Sequence, residues 1–459
     1  MPLVGLKEAA AGVVANYLVR FTGLEPRPAW LHQRRQAAFA RFAELGFPGR
    51  KHEGWRQTNV GPIAESVFEP QSPLPPAELV PRLRELDLPG VDWSAEAARL
   101  VFINGVFAPG LSSGGALPGC RIGALAPLFD RRDPAVEANL EHDDERDQAF
   151  VALNTAFLHE GAFVEIAPAA VLERPISILY FTTGSASGTR AAGALGPAPT
   201  NASKGISHPR TLVLAGRESQ AAIVETCAGF PGDVYFTNAV TTVEIGENAS
   251  LEYARLGQES MAAFHVSKLR SRQRRDSRFA AHSFSFGGAL VRNNVHAILD
   301  GEGAECVLNG LFVLDGAQHV DNSTLLDHAQ PLGTSREYYK GVLDGKAVGV
   351  FNGRIIVRQD AQHTDAIQSN KNLLLSGGAA SISAQPQLEI YADDVRCTHG
   401  ATVGQLDAQA LFYLRSRGLG LEESRKLLIY AFTADVLGRV KAAGLRPALE
   451  RVLWRKWAE

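Results

Sequence analysis

Asn309 to Asp321 reads N-G-L-F-V-L-D-G-A-Q-H-V-D, and Asn352 to Asp365 repeats it one residue longer as N-G-R-I-I-V-R-Q-D-A-Q-H-T-D. Each copy is a short apolar run between an Asn-Gly pair and a polar corner. The period, about 43 residues, fits two coils of a solenoid, in which successive coils place equivalent residues in register. This reading predicts that His319 and His363 stack along one side of the body. It also makes H-V-D and H-T-D a corner ladder rather than metal or catalytic pairs.

Outward from the repeat, Ala162 to about Gly404 consists of short apolar runs broken by glycine, among them I-S-I-L-Y-F, T-L-V-L-A-G, L-F-V-L-D-G and R-I-I-V. Helical periods are absent, and β-branched residues and Phe are enriched, as short strands require. Asp300-Gly301, Asp315-Gly316 and Asp344-Gly345, with Asn309-Gly310 and Asn352-Gly353, are expected to supply the positive φ of tight turns. The fold class expected is mainly β, a parallel β-helix flanked by helical regions. A sandwich or a propeller is the alternative that strand pattern alone allows.

The flanks change period. Leu6, Ala10, Val13, Tyr17 and Phe21 recur at helical spacing, and Trp30 to Leu45 repeats the pattern. Pro-rich Glu69 to Pro81 breaks any long element, Arg99 to Phe107 reads as a hairpin turned on Asn104-Gly105, and Asp143 to Leu158 is acidic and helix-prone. After Gly404, Asp407 is an N-cap for A-Q-A-L-F-Y-L-R-S-R with Gly418 beyond, followed by helices at Glu422 to Ala443 and Pro447 to Trp457. Leu427 to Leu437 is apolar around much of its girth and wants neighbours on more than one side. Three regions follow: 1–160 helical with a small hairpin, 161–404 the β-helix core, and 405–459 helical. Gly184 to Ser207, rich in Gly, Ala, Ser and Thr, reads as an exposed flexible loop without chemistry.

Composition narrows the function. The 459 residues are 45% hydrophobic and 21% charged with net charge -3, so there is no nucleic-acid footprint, and the Arg270 to Arg278 run reads as a solvated face. Four cysteines, at 120, 227, 306 and 397, without C-x-x-C fit a reducing compartment, and the chain is expected in the cytoplasm. Ala9 to Val19 lacks the flanks of a signal peptide, and no stretch is long enough to span a membrane. There is no P-loop, no G-x-S-x-G and no H-E-x-x-H, and Gly301-x-Gly303 lacks its third glycine. Nothing reads as a self-sufficient active site, nor as a nucleotide site.

The stretch with chemistry is Leu388 to Gly404, L-E-I-Y-A-D-D-V-R-C-T-H-G-A-T-V-G. It reads as a strand, a corner at Asp393-Asp394, and a second short strand carrying Cys397 and His399. Residues two apart on a strand share a face, so thiol and imidazole can serve one site. Two ligands close neither a zinc site nor a four-cysteine cluster, so this is half of a site. Taken alone, C-x-H reads rather as an inert thiol beside a hydrogen-bonded imidazole.

K-H-E-G-W-R-Q-T at Lys51 to Thr58, S-H-P-R-T-L-V at Ser207 to Val213, N-K-N-L-L-L-S from Asn370, and the block through A-L-F-Y-L-R-S-R-G at Gly418 resemble the SufD subunits of the Suf iron-sulfur cluster assembly system, within the SufB/SufD family. The resemblance extends over nearly the whole chain, with a longer Gly184 to Ser207 loop. It implies a right-handed parallel β-helix between helical ends and a complex with SufB and two copies of the ATPase SufC. SufB is expected on the β-helix, and the ATPase on the helices from Asp407 to Ala443, whose apolar surface around Leu427 to Leu437 would otherwise stay partly exposed. It implies that a transient iron or iron-sulfur cluster is built at the SufB and SufD junction, with His399 contributing and Cys397 the less certain ligand. Homodimers in isolation and flavin binding by the complex are left open. The residues themselves allow other readings: a β-helix enzyme acting on carbohydrate or acyl substrates, or a purely structural SufB paralogue in which Cys397 and His399 only pack. The chain lacks the strict six-residue period of hexapeptide acyltransferases.

Overall fold

A computed structural model describes residues 13–26, 28–72, 75–94, 97–114, 117–140, 149–184, 204–375 and 378–456. Leu6 and Ala10 of the first expected helix, residues 143–148 of the acidic run, residues 185–203 of the Gly184 to Ser207 loop, and Trp457 lie outside them. The described end of that loop, Lys204–Ser207, is a strand.

The body is a parallel β-solenoid built of one eleven-stranded and one ten-stranded sheet among the described residues. From Arg210 to Gly404 consecutive strands alternate between the sheets and pair in parallel with the strands one coil before and one coil after. Helices lie at both ends of the chain. No described helix is long and apolar enough to cross a membrane.

Strand pairing sets the coil length. Leu290 pairs with His319, and His319 with Val348, so a coil advances the numbering by 29. The repeat of about 43 residues therefore spans one and a half coils, not two. Asn309 lies in Glu305–Leu314 of the ten-stranded sheet, while Asn352 lies in Val348–Val357 of the eleven-stranded sheet. His319 opens a strand of one sheet, and His363 sits in the corner that leads into a strand of the other. The two histidines are not stacked, and the two copies are not equivalent rungs. The cause is that every half-coil has the same chemistry, an apolar strand and a polar corner, so any odd number of half-coils yields look-alike copies on opposite sheets.

The glycine pairs divide by the same geometry. Gly316 and Gly345 take φ of 61° at corners, as expected of Asp-Gly turns, whereas at Asp300-Gly301 the positive φ falls two residues on, at Gly303 with 69°. Asn309-Gly310 and Asn352-Gly353 instead fall inside strands. Their glycines make room for lumen side chains: a Cβ on Gly310 would stand 2.1 Å from the Tyr339 ring, and one on Gly353 would stand 2.3 Å from Gln368 Nε2. The N-terminal hairpin did form as read, Arg99–Ile103 against Val106–Phe107, with Asn104 and Gly105 at φ 53° and 79°.

Alternate side chains face the lumen, where Ile223, Tyr253, Phe279, Leu308, Leu326, Phe351 and Ile355 form one apolar core. The lumen also holds polar groups. Gln368 Nε2 donates to Glu337 Oε2 at 2.6 Å, and both side chains are buried. Burial pushes the Glu337 carboxyl up to about 7, against the hydrogen bonds from Thr324 and Gln368 that favour its charged form.

The outer faces are covered by the ends of the chain. Tyr17, Phe21, Phe39, Phe42, Trp55 and Phe150 pack on Phe236, Val266 and Leu290 of the eleven-stranded sheet. Arg292 pairs with Asp321 there and lies 4.0 Å over the Trp55 ring, and Thr58 donates to Asp321. The K-H-E-G-W-R-Q-T segment is thus a clasp between the N-terminal region and the solenoid. On the other side, Leu421–Leu437 and Leu445–Lys456 bury Ile429, Val436, Leu437, Leu445, Leu449 and Leu453 against Leu256, Phe284, Leu311 and Val342 of the ten-stranded sheet. Lys340 Nζ donates to Asp435 Oδ1 at 2.7 Å and Tyr338 Oη to Asp435 Oδ2 at 2.6 Å, pinning the first of these helices. That helix ends at Leu437 instead of running to Ala443, and its apolar girth finds its neighbours on the solenoid. Arg272 and Arg274 of the basic run pair with Asp300, and Arg278 with Glu305, so the run is a solvated face of cross-coil ion pairs.

Two outcomes test the lumen. Gly310→Ala should destabilise the fold by roughly 1–3 kcal/mol, because neither the strand nor the buried Tyr339 ring can move aside cheaply; an unchanged Tm would contradict the packing. Glu337 has a raised folded pKa, so its contribution to stability is fully present below about pH 4.5 and lost as pH rises through about 7. Glu337→Gln should gain on the parent protein by up to roughly 3 kcal/mol between those limits and gain nothing below them. Parallel urea-unfolding profiles for the two proteins at pH 4 and pH 7.5 would contradict it.

Candidate functional site at the open end of the solenoid

The last coil comprises Ser381–Ile390 and Arg396–Gly404, which are the terminal strands of the eleven-stranded and ten-stranded sheets. Between them the chain turns at Asp393 and Asp394, as the sequence suggested. The corner is held from the previous coil: His363 N donates to Asp394 O at 2.7 Å, and His363 Nδ1 lies 3.0 Å from Asp394 Oδ2.

Each terminal strand has one edge paired and one edge open, and the two edges differ. Ser381–Ile390 carries Pro386 at its middle, which removes a donor and blunts the edge against further pairing. Arg396–Gly404 carries no proline, and apart from the half-buried Cys397 all of its residues are exposed. A flat unguarded edge of nine residues is a template for another strand.

Cys397 and His399 both lie on this strand, in register with Ala366 and Gln368 of the coil before. Cys397 packs against the apolar lumen core, so it faces inward. His399, two residues on, shares that face. It is nevertheless exposed, because no further coil covers it. The lumen histidines of the inner coils are different: His265 and His328 are buried, with Glu259 and Ser335 as their respective partners. Burial pushes the Cys397 thiol up, opposed by a hydrogen bond from the Ala366 backbone and reinforced by Asp365. The rim therefore offers a protonated thiol and an accessible imidazole, two donors of different softness on one face.

Sequence reading brought these two residues together correctly and missed what lies behind them. Gln368 and Glu337 continue the His399 column into the lumen, and beside them Asn372 Nδ2 donates to Asn370 Oδ1 at 2.6 Å. A signal was present: alternate positions of D-A-I-Q-S-N-K-N, from Asp365, are Ala366, Gln368, Asn370 and Asn372, three of them polar where an apolar core was expected. Around the rim, Ile390, Tyr391 and Val403 are exposed. Helix Ala408–Ser416 follows directly, capped by Asp407, whose side chain accepts from Gln409 N at 2.8 Å. It buries none of its residues and exposes Phe412 and Tyr413, by 74% and 56%. The apolar surface open to a partner thus lies on this helix more than on Leu427 to Leu437.

Two family models match the chain: the SUF system FeS cluster assembly SufBD core domain over residues 199–432, and the SufBD protein N-terminal region over residues 25–178. An iron-sulfur cluster assembly SufBD family protein of Synechocystis is 31% identical over 92% of this chain and 90% of its own length. The iron-sulfur cluster assembly protein SufD of Escherichia coli is 29% identical over 90% of this chain and 89% of its own, and that of Bacillus subtilis 28% identical over 66% of each. A solenoid with an open terminal coil, matched by both family models and by relatives over nearly its full length, places the chain: it belongs to the SufBD family of the SUF iron-sulfur cluster assembly system.

Proposed function

We propose that the chain is a non-catalytic subunit of the cluster assembly scaffold, working in the cytoplasm, where its four free cysteines would stay reduced. It pairs with SufB through the open end of the β-helix and docks the SufC ATPase through its C-terminal helices. His399, with Cys397 as a second ligand, supplies part of a transient iron or nascent-cluster site at that junction, the iron and sulfide being cargo.

The observation that carries this reading is the exposure of His399 on the lumen face of an unguarded terminal strand. An inert packing histidine would be buried and hydrogen-bonded, as its counterparts in the inner coils are. Two donors leave coordination positions open, and a strand added to this edge would bring its own side chains into line with His399 to fill them. An imidazole in place of a thiolate leaves a cluster less negative and less tightly held, which suits a place where clusters are built and passed on. For the ATPase, the exposed aromatics of Ala408–Ser416 are the surface that needs a partner.

In protein co-purified with SufB and SufC, His399→Ala should leave folding and complex formation intact. Anaerobic iron and sulfide should then give none of the visible absorption of the parent complex. Cys397→Ala should lower that absorption by a smaller amount. Unchanged absorption in His399→Ala sinks the junction site, and unfolding of the variant would make the residue a packing one. Phe412→Asp with Tyr413→Asp should weaken SufC capture roughly tenfold or more without changing the circular dichroism, since both side chains are exposed; full capture would move the docking site elsewhere.

A further inference from the structure

Far from the rim, three ligand types meet inside the solenoid. Cys227 ends the strand Gln220–Ala228 of the ten-stranded sheet, Glu259 follows the next strand of that sheet, and His265 lies in Phe264–Gln273 of the eleven-stranded sheet. One ligand atom from each lies within 4.8 Å of the other two, and all three side chains are buried. No local motif joins them in the sequence. The parallel coil brings them together at one corner, and six strand spacings, roughly 29 Å at ~4.8 Å each, separate that corner from His399.

We propose that Cys227, Glu259 and His265 bind a borderline divalent transition metal of the zinc, ferrous or cobaltous class, which ties the two sheets together across the lumen. Thiolate, imidazole and carboxylate are the donor set that such ions take, and ligand atoms this close can converge on one ion. The surroundings support the ligands. Tyr235 Oη donates to Glu259 Oε2 at 2.6 Å and accepts from Ser260 N at 2.9 Å, fixing the carboxylate. Gly229 makes this possible, since a Cβ there would stand 2.4 Å from the Tyr235 hydroxyl. Gly257, in register with Cys227, places no side chain beside the thiol. A cavity of about 10 Å³ lined in part by Gly257, Glu259 and His265 adjoins the trio, about the room one water needs as a fourth ligand.

Charge favours the same conclusion. Without a metal, His265 Nδ1 and Glu259 Oε1 lie 2.7 Å apart, and burial with the carboxylates of Glu225 and Glu259 disfavours the Cys227 thiolate, a cost that a bound cation offsets. On binding, the thiol proton leaves to solvent, and His265 keeps its single N–H on the nitrogen that does not ligate. One thiolate, one carboxylate and a neutral imidazole then cancel a dication, and the opposite charges of the neighbouring Glu225 and Arg255 offset each other, so the occupied site is electrically neutral in a low-dielectric interior. This inference does not depend on the rim.

The test uses the full chain carrying Cys397→Ser and His399→Ala, so that failure at the rim cannot be mistaken for failure here. Metal-stripped protein titrated with Co²⁺ alone should bind one equivalent, develop a near-ultraviolet thiolate-to-cobalt band with visible d–d bands, and unfold at higher temperature. Adding Cys227→Ser should abolish the near-ultraviolet band. Cobalt X-ray absorption should show one sulfur scatterer among nitrogen and oxygen, a measurement that stands even where Cys227→Ser fails to fold. No binding, a band that survives Cys227→Ser, or a cobalt shell without sulfur would overturn the site.

Discussion

In a parallel solenoid each coil is completed by the next. Its backbone edge is satisfied by the following strand and its inward side chains are buried by the following layer, so stability and closure are borrowed along the axis. Everything notable about this chain follows from where that borrowing stops. At the start of the body, antiparallel strands finish both sheets, Cys120–Ala124 on one and Val106–Phe107 on the other, and the clasp around Trp55 and Arg292 seals an outer face. At the far end the chain leaves the coil for helix after Gly404, and a strand with an inward-facing imidazole is left at the surface.

The lumen shows why such an end can be chemical and not merely sticky. A solenoid needs only an apolar interior to fold, yet this one carries Glu225, Arg255, Asn293, Asn322, Glu337, Gln368 and Asn370 buried among its aliphatic layers. Several are joined: Asn293 accepts from Arg255 and donates to Ser285 and Asn322. Polar groups inside a low-dielectric core cost stability unless paired, and they hold a coil to one register because a slipped strand would strand them. The same economy of space explains the strand glycines, which exist to admit Tyr339 and Gln368.

Much of this was legible from the residues. The strand period beyond Gly161 is that of the coiling strands, although Arg99–Ile103 and Cys120–Ala124, upstream of it, also join the two sheets, and the i, i+2 spacing placed Cys397 and His399 on one face. The Asp407 cap and the Asn104-Gly105 turn were local signals, and local signals hold because short-range geometry decides them. What failed was the phase of the repeat. Two half-coils of like composition cannot be told apart by pattern, so Asn309 and Asn352 were assigned to one sheet when they lie on two. The Asn-Gly pairs misled for a related reason: a glycine demanded by a neighbouring side chain looks the same in sequence as one demanded by a turn. The Cys227, Glu259 and His265 cluster was invisible, because nothing links positions so far apart except the coil length itself.

The central claim is that the terminal strand is completed by a second protein. Hydrogen–deuterium exchange over Arg396 to Gly404, in the isolated chain and in the complex with SufB, addresses it directly, because an open edge leaves its outward amides to solvent and an added strand would bond them. The account predicts that these amides exchange fast in isolation and become strongly protected in the complex, while those of the inner strand Asp365–Leu374 change little. Equal exchange over Arg396 to Gly404 in both states, with protection appearing on another face, would contradict it.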